Sequence, residues 1–311
     1  MFKIGFGCVG LTSLSSRRES LAILEHAYSQ GITHFDVARL YGMGLTESIV
    51  GEFAKNKRHE ISITTKFGLN PPSIIVNHRN LQNFVKKSIK RMPFVKKLVA
   101  KKIHSKFEPV FSVENARTSL DKSLTELNTD YIDYYLMHEA TLEAANSDDM
   151  ICFLDNKIKE GKILKFGIGT AFSHIHNDCN LFNCNYYVFQ FENNIFNENL
   201  LKIKNSDSKL LVTYSVFKDF NTINQWLDKA EVQNIRKYSN EIGIDIKDNN
   251  VIAGMFLYHS ALSNPNGITL FSSTRGINIS NNMKYLRQFI QLNLKVELIN
   301  KIFKQIRNDI G

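Results

Sequence analysis

The sequence contains no apolar run that approaches the roughly 18 residues needed to cross a membrane as a helix. Its amino terminus, MFKIGFGCVGL, lacks the basic, apolar and small-residue regions of a secretory leader. Cysteines are few and lie outside any metal-ligand spacing, at Cys8, Cys152, Cys179 and Cys184. We therefore expect a cytoplasmic protein with free thiols, no bound metal and no membrane association.

Acidic residues are almost missing from one segment, residues 70–112. The segment holds ten of the 39 lysines and arginines and a single acid, Glu108, so it carries the whole net charge of +9. A nucleic-acid-binding surface is typically broader, with aromatic residues interleaved among the basic ones. Confinement of the charge to one insertion therefore predicts a protein that does not bind nucleic acid.

Apolar, β-rich runs alternate with helical patterns along all 311 residues, of which 43% are apolar. Eight runs predict strands, at residues 2–8, 33–38, 61–67, 131–138, 163–170, 185–193, 210–217 and 268–274. Two further helices are predicted after the last strand, at 278–290 and 292–308. This pattern predicts an α/β fold, a single-domain (β/α)8 TIM barrel over residues 1–311, with 70–112 as a long basic helical insertion after strand 3.

The glycines of GFGCVG offer an alternative fold. Gly5, Gly7 and Gly10 fit the G-x-G-x-x-G spacing of an open, doubly wound dinucleotide-binding sheet. That motif also needs an acidic residue at the end of a second strand, about 20 residues further on. Asp36 does not fit this role, because Tyr41 follows it in a different pattern, and the barrel is the better prediction.

Four polar side chains lie at or just beyond the carboxyl ends of the second, third and fourth predicted strands. Asp36 and Tyr41 lie in HFDVARLYG, Lys66 lies in ISITTKF, and His138 ends YIDYYLMH. In an α/β barrel these ends form one face, and that face carries the chemistry. We therefore predict that Asp36, Tyr41, Lys66 and His138, called the tetrad below, form one acid–base site.

The tetrad suits the reduction of a carbonyl group. Addition of hydride to the carbon requires a proton for the oxygen, and the Tyr41 hydroxyl can supply it. A nearby Lys66 ammonium stabilises the phenolate and so lowers the tyrosine pKa, while Asp36 keeps the lysine charged. His138 is suited to orienting the carbonyl or relaying the proton. Each residue alone has an ordinary structural explanation, but their combination favours catalysis.

Several motifs resemble those of the aldo-keto reductases. The likeness begins with HFDVARLYGMGLTESIVGEF, TTKFG and SLDKSLTELNTDYIDYYLMH, and it continues in order through GKILKFGIGTAFS, VFQFENN, LLVTYSVF and ITLFSSTRGINISNN. The resemblance implies a (β/α)8 barrel and an NAD(P)(H)-dependent oxidoreductase that acts without a metal. It assigns the catalytic roles to the tetrad.

The resemblance also implies cofactor contacts. Gln190 matches the side chain that holds the nicotinamide carboxamide, Tyr214 the aromatic residue that stacks on the ring, and Ser215 a phosphate contact. The remaining implied contacts are Thr170 near the carboxamide, Ser273, Thr274 and Arg275 at the adenosine phosphate, and Asn282 at the adenine. The Arg275 guanidinium suits a 2′-phosphate, which favours NADP(H) as cofactor, with NAD(H) as the alternative.

The sequence departs from the family pattern in three places. Gly169 and Thr170 replace the usual Ser-Asn pair of the fifth strand, which changes one carboxamide contact. Asn281 stands where an acidic residue usually precedes the adenine-binding asparagine. The insertion 70–112 has no counterpart in the smallest family members.

The expected reaction is reduction of an aldehyde or ketone to an alcohol, or its reverse, on a small sugar-like substrate. The insertion is expected to form amphipathic helices packed on the barrel. Because it follows strand 3, the alternative is a lid over the substrate whose cations meet an anionic sugar, either nucleotide-linked or phosphorylated. Reduction of a pyridoxal-type aldehyde, and a cofactor-binding regulatory subunit without turnover, are the alternative functions. We expect a monomer or a small homo-oligomer.

Overall fold

Eight parallel strands pair in chain order and close into a barrel. The computed structural model describes residues 2–71, 109–140, 142–176, 186–203, 208–230 and 232–310. The strands are β1 (Lys3–Gly7), β2 (His34–Asp36), β3 (Ser62–Phe67), β4 (Ile132–His138), β5 (Ile163–Gly169), β6 (Val188–Glu192), β7 (Leu210–Tyr214) and β8 (Ile268–Phe271). Each lies within one of the eight predicted runs, so the predicted TIM barrel is confirmed.

Helices follow the strands along the chain. They are α1 (Arg17–Ser29), α2 (Leu45–Ala54), α3 (Val113–Leu127), α4 (Leu142–Ala145), α5 (Asp148–Lys159), α6 (Phe172–His176), α7 (Phe220–Lys229), α8 (Val232–Ile242), α9 (Asn249–Ser263), α10 (Gly276–Gln291) and α11 (Val296–Ile310). Short 3-10 segments occur at Cys8–Ser13, Tyr41–Gly44, Arg58–Glu60 and Asn199–Lys202. The two helices predicted after the last strand are α10 and α11.

Both ends of the basic insertion lie at the carboxyl end of β3. The Val110 amide donates to the Gly68 carbonyl at 3.1 Å, and the Ser119 hydroxyl donates to the Asn70 side-chain oxygen at 3.2 Å. Residues 72–108 lie outside the described residues, so the helices and the lid expected there stay predictions. The chain leaves and rejoins the barrel on the face where the tetrad lies.

The barrel interior explains the first glycine of GFGCVG. A Cβ atom on Gly5 would lie 2.5 Å from the Leu270 side chain and 2.7 Å from His34, so no larger residue fits. Leu136, Val188 and Leu270 form part of the apolar cluster inside the barrel. Gly5 is therefore a packing residue in a closed barrel, and the open dinucleotide-binding sheet is excluded.

Among the described residues, no group of three or more His, Cys, Asp and Glu side chains is arranged to hold a metal ion. In the same ranges, no helix is both long and apolar enough to span a bilayer. Cys8 and Cys152 are free thiols. Cys179 and Cys184 lie outside the described residues, so the prediction that they are free is untested.

His34 is a buried, neutral histidine inside the barrel. Its Nδ1 lies 2.8 Å from the Ser62 hydroxyl and its Nε2 lies 3.3 Å from the Thr64 hydroxyl. Burial, together with the positive charges of Lys66 and Lys3, lowers the pKa of His34 to about 3. The folded protein therefore leaves this imidazole uncharged at any pH well above that value.

Stability is expected to fall as the pH drops below about 6.5, the ordinary histidine pKa, because only the unfolded chain then protonates residue 34. The loss grows until the pH reaches the folded pKa of about 3. At about pH 5 it amounts to roughly 2 kcal/mol relative to neutral pH. Urea unfolding of the wild type and His34→Gln at both pH values measures this, with the variant losing less. An equal loss in both proteins would contradict it.

Candidate active site

The four tetrad residues meet at the carboxyl end of the barrel. Asp36 ends β2, Lys66 is the penultimate residue of β3, His138 ends β4, and Tyr41 opens the turn that follows β2. Asp36 and Lys66 are 3% and 2% exposed, whereas Tyr41 and His138 are half-buried. The structure thus brings together the residues that the sequence predicted, with a buried ion pair beneath two more accessible side chains.

Lys66 is the centre of the site. Its Nζ donates to the two Asp36 carboxylate oxygens at 2.7 and 2.8 Å and to the Val37 carbonyl at 3.0 Å. The same nitrogen lies 3.4 Å from the Tyr41 hydroxyl oxygen. The His138 ring stands edge-on to the Tyr41 ring, with centroids 6.0 Å apart. An ammonium fixed by Asp36 and Val37 therefore lies beside the phenol oxygen.

A left-handed turn presents Tyr41 to the site. Gly42, Met43 and Gly44 have φ values of 58°, 57° and 88°. A Cβ atom on Gly42 would lie 2.3 Å from the Thr12 side chain, so both the backbone angle and the space require glycine there. The sequence YGMG therefore reverses the chain directly after the phenol.

A second buried ion pair supports this turn. The Arg39 guanidinium pairs with the Glu47 carboxylate, and their side chains are 3% and 0% exposed. The hydroxyls of Thr65 and Ser123 donate to the other Glu47 oxygen at 2.7 and 2.6 Å. Glu47 thus connects the loop before Tyr41 to β3 and α3. Sequence reasoning did not identify this pair.

The protonation states differ in one respect from expectation. The sequence predicted a lowered Tyr41 pKa, but burial raises it and the Lys66 ammonium offsets only part of that effect. Burial alone would lower the Lys66 pKa, but Asp36 and Tyr41 outweigh it, so the Lys66 pKa is raised. Burial and the charge of Lys66 lower the His138 pKa to about 3. At neutral pH the site therefore holds a phenol, an ammonium and a neutral imidazole.

A cavity of about 630 Å³ opens above the tetrad. Besides the tetrad, three predicted cofactor residues line it: Gln190, Tyr214 and Ser215. Its walls also include residues that the sequence analysis did not select, and these are Gly7, Val9, Glu139, Gly169, Val216, Phe217, Lys218, Leu270, Phe271 and Ser272. Glu139 and Lys218 could have been found, because each lies at or near the carboxyl end of a predicted strand.

The other predicted cofactor residues do not line the cavity. Thr170 is 2% exposed, and its hydroxyl lies 3.0 Å from His174 Nδ1. Asn282 is 4% exposed within α10. Ser273, Thr274 and Arg275 lie between β8 and α10, directly after the cavity residue Ser272. Arg275 and Thr274 are exposed. This stretch therefore extends outward from the cavity rim.

Gln190 has one amide atom engaged and one without a partner. Its Nε2 donates to Asp36 Oδ2 at 2.9 Å, whereas its buried Oε1 has no hydrogen-bond partner among the described residues. Tyr214 is half-buried on the cavity wall, and burial raises its pKa, with Glu192 and Glu139 adding to the effect. An amide acceptor beside an aromatic face is suited to an aromatic ring that carries a primary amide, so these residues fit a nicotinamide.

A sequence model described as the aldo/keto reductase family matches residues 3–242. The chain therefore belongs to the aldo/keto reductase family, as its motifs predicted.

Two curated relatives show how far the sequence likeness extends. An uncharacterised oxidoreductase, YqkF, of Bacillus subtilis is 29% identical over 178 residues, which are 54% of this chain and 44% of that protein. The aldo-keto reductase yakc [NADP(+)] of Schizosaccharomyces pombe is 28% identical over 172 residues, 53% of this chain and 41% of that protein. The matches span less than half the length of these relatives.

Solved structures share the fold at low sequence identity. An aldo-keto reductase from Bacillus halodurans in its holo form is 18% identical, with a TM-score of 0.63 over 94% of this chain and 92% of that one. An aldo-keto reductase from Klebsiella pneumoniae in complex with NADPH is 16% identical, with a TM-score of 0.60 over 94% and 89%. These similarities support the barrel fold.

Proposed function

We propose that this protein is an NADP(H)-dependent oxidoreductase that interconverts a carbonyl compound and its alcohol, with Tyr41 as the proton donor. The observation that carries the proposal is the position of Lys66 Nζ, 2.7 Å from Asp36 and 3.4 Å from the Tyr41 hydroxyl. The Lys66 ammonium would stabilise the phenolate of Tyr41, so the Tyr41 hydroxyl is suited to act as an acid next to a cavity wide enough for a ligand.

The residues of the cavity have complementary tasks in this reaction. When bound, NADP(H) supplies or accepts the hydride. Gln190 and Tyr214 would hold its nicotinamide, and Ser215 a phosphate. Thr170 would lie near the carboxamide. The adenosine end would be bound by the residues beyond the cavity rim, Ser273, Thr274 and Arg275, together with Asn282 of α10.

The proton follows a short route. In reduction, Tyr41 donates its hydroxyl proton to the substrate oxygen, and the Lys66 ammonium stabilises the phenolate that forms. Asp36 fixes the ammonium by two hydrogen bonds. His138 is neutral, because its pKa is lowered to about 3, and it would orient the carbonyl by a hydrogen bond.

The proposed substrate is a small, sugar-like aldehyde or ketone. Hydroxyl-rich substrates suit a cavity in which His138, Glu139 and Lys218 interrupt an apolar wall that includes Val9 and Phe217. Recognition of an anionic sugar by the basic insertion stays part of the proposal, since it depends on residues 72–108. We further propose that the protein is a monomer or a small homo-oligomer in the cytoplasm.

Calorimetric titration with NADPH and NADH tests the cofactor assignment. The wild type is expected to bind NADPH more tightly than NADH. Arg275→Ala should weaken NADPH binding by roughly 10- to 100-fold, the value of charge-assisted hydrogen bonds to a phosphate, and leave NADH binding nearly unchanged.

Arg287→Ala is the matched control. Arg287 lies near the other end of α10 and contacts Gln30, so its loss should change neither affinity. Equal binding of the two cofactors by the wild type would overturn the preference for NADP(H). Absence of any binding, together with failure to oxidise NADPH in a screen of aldehydes and sugars, would overturn the proposed activity.

A further inference from the structure

Glu139 places an unpaired carboxylate in the catalytic cavity. It follows His138 directly, lines the cavity and is half-buried. None of the ion pairs among the described residues includes it. The contact found for its carboxylate is with the Thr170 hydroxyl, at a long 3.4 Å. A carboxylate in this position has most of its acceptor capacity available to a ligand.

The backbone holds Glu139 in this position. Its φ is 56°, in the left-handed region that residues other than glycine seldom adopt. Its amide donates to the Gly169 carbonyl at 2.7 Å, which ties it to the end of β5. Such angles persist where the surrounding structure imposes them, and they are common at ligand sites.

A second acceptor lies on the neighbouring strand. Gln190 is 3% exposed and its Oε1 has no partner among the described residues. The Nε2–Asp36 hydrogen bond of 2.9 Å fixes the orientation of the Gln190 amide, because a flipped amide would set Oε1 against the Asp36 carboxylate. The orientation therefore leaves Oε1 as a buried acceptor that has no partner among the described residues.

Gly169 lies between the two chain segments that carry the acceptors Glu139 and Gln190. In the sheet register it lies between His138 of β4 and Gln190 of β6. A Cβ atom on Gly169 would lie 3.1 Å from Gln190 Oε1, so the absence of a side chain leaves space beside that buried oxygen. Glu139 and Gln190 thus both line the cavity near Gly169, and the Gln190 oxygen lies next to the space that a side chain at residue 169 would fill.

We propose that Glu139 binds the carboxamide nitrogen of the nicotinamide, accepting one N–H while Gln190 Oε1 accepts the other. A primary amide carries two N–H donors on one atom, which suits two acceptors on adjacent strands. The inference rests on the proposed function. The Glu139 contact would take the place of the carboxamide contact that this chain lacks because Gly169 has replaced the usual serine.

The charge of Glu139 has a further effect on the bound ring. The oxidised nicotinamide is cationic and the reduced one is neutral, so a carboxylate beside it favours the oxidised form. Glu139 therefore binds NADP⁺ in preference to NADPH through its charge, in addition to the hydrogen bond that both forms receive.

The test compares NADP⁺ with its acetylpyridine analogue, in which a methyl group replaces the carboxamide NH₂. Calorimetry should show that the wild type prefers NADP⁺ by roughly 10- to 100-fold, the range for a hydrogen bond to a charged group. Glu139→Ala should reduce this preference by about tenfold. Glu139→Gln, which keeps an acceptor without the charge, should lower the NADP⁺ affinity relative to that for NADPH.

The controls separate this inference from the proposed function. Glu160→Gln, which removes a carboxylate paired with Lys157 just before β5, should leave all affinities unchanged. Adenosine 2′,5′-bisphosphate should bind the wild type and all variants alike. A wild type that binds neither this ligand nor NADP⁺ would overturn the proposed function. NADP⁺ binding with the same preference in Glu139→Ala as in the wild type would overturn the role of Glu139 alone.

Discussion

Tyr41→Phe is expected to lower the rate of carbonyl reduction by roughly 10²- to 10⁴-fold, the usual contribution of a positioned proton donor. The ring and its packing against His138 are retained, and the Asp36–Lys66 ion pair does not depend on the hydroxyl. NADPH affinity should therefore stay close to that of the wild type. Single-turnover oxidation of NADPH measures the rate, and calorimetry measures the affinity.

Tyr28→Phe is the matched control for this substitution. Its hydroxyl bonds to Glu60 on an exposed part of the barrel, so its loss should leave the rate unchanged. A Tyr41→Phe protein that reduces carbonyl compounds at the wild-type rate would rule out the phenol as donor. A wild type that binds NADPH and reduces no carbonyl compound would favour the regulatory alternative instead.

Glu47→Ala is expected to lower the free energy of unfolding by about 3–5 kcal/mol, because it leaves the buried Arg39 guanidinium without its counter-charge. The hydroxyls of Thr65 and Ser123 lose their acceptor at the same time. Since Arg39 lies two residues before Tyr41, turnover should fall together with stability. Urea unfolding monitored by circular dichroism measures the first effect.

Two comparison proteins make this prediction specific. Glu52→Ala breaks an exposed pair with Arg17, whose side chains are 45% and 50% exposed, and it should cost at most about 1 kcal/mol. The double variant Arg39→Met/Glu47→Leu should recover part of the stability, because it leaves no buried charge unpaired, although the hydroxyls of Thr65 and Ser123 still lack their acceptor. A Glu47→Ala protein as stable as Glu52→Ala would show that Arg39 finds solvent or another partner.

The sequence predicted the barrel well because apolar runs and helical periods repeat in order. It overestimated β7, which was expected to extend over 210–217 and ends at Tyr214. Ser215 has a φ of 66° and turns the chain, although Val216 and Phe217 continue the apolar run. Hydrophobicity alone cannot distinguish residues that pair in a sheet from residues that line the cavity after it.

The tetrad could be predicted because a parallel barrel collects the carboxyl ends of its strands on one face. The Arg39–Glu47 pair could not, since its contacts come from four separate parts of the chain. The raised Tyr41 pKa was missed because its largest cause is burial, which only the packed structure reveals. The acceptor role proposed for Glu139 likewise depends on a backbone angle and on its neighbours across the sheet.

The hydrogen bond between Val110 and Gly68 has a consequence for how this fold can diversify. A segment whose two ends meet at one point can be lengthened, shortened or exchanged with little demand on the scaffold, because closing a longer loop costs only slightly more entropy. The tetrad is anchored on β2, β3 and β4 and in the turn after β2, and it makes no use of that closure. The length and sequence of the insertion can therefore change while the geometry of the tetrad stays the same.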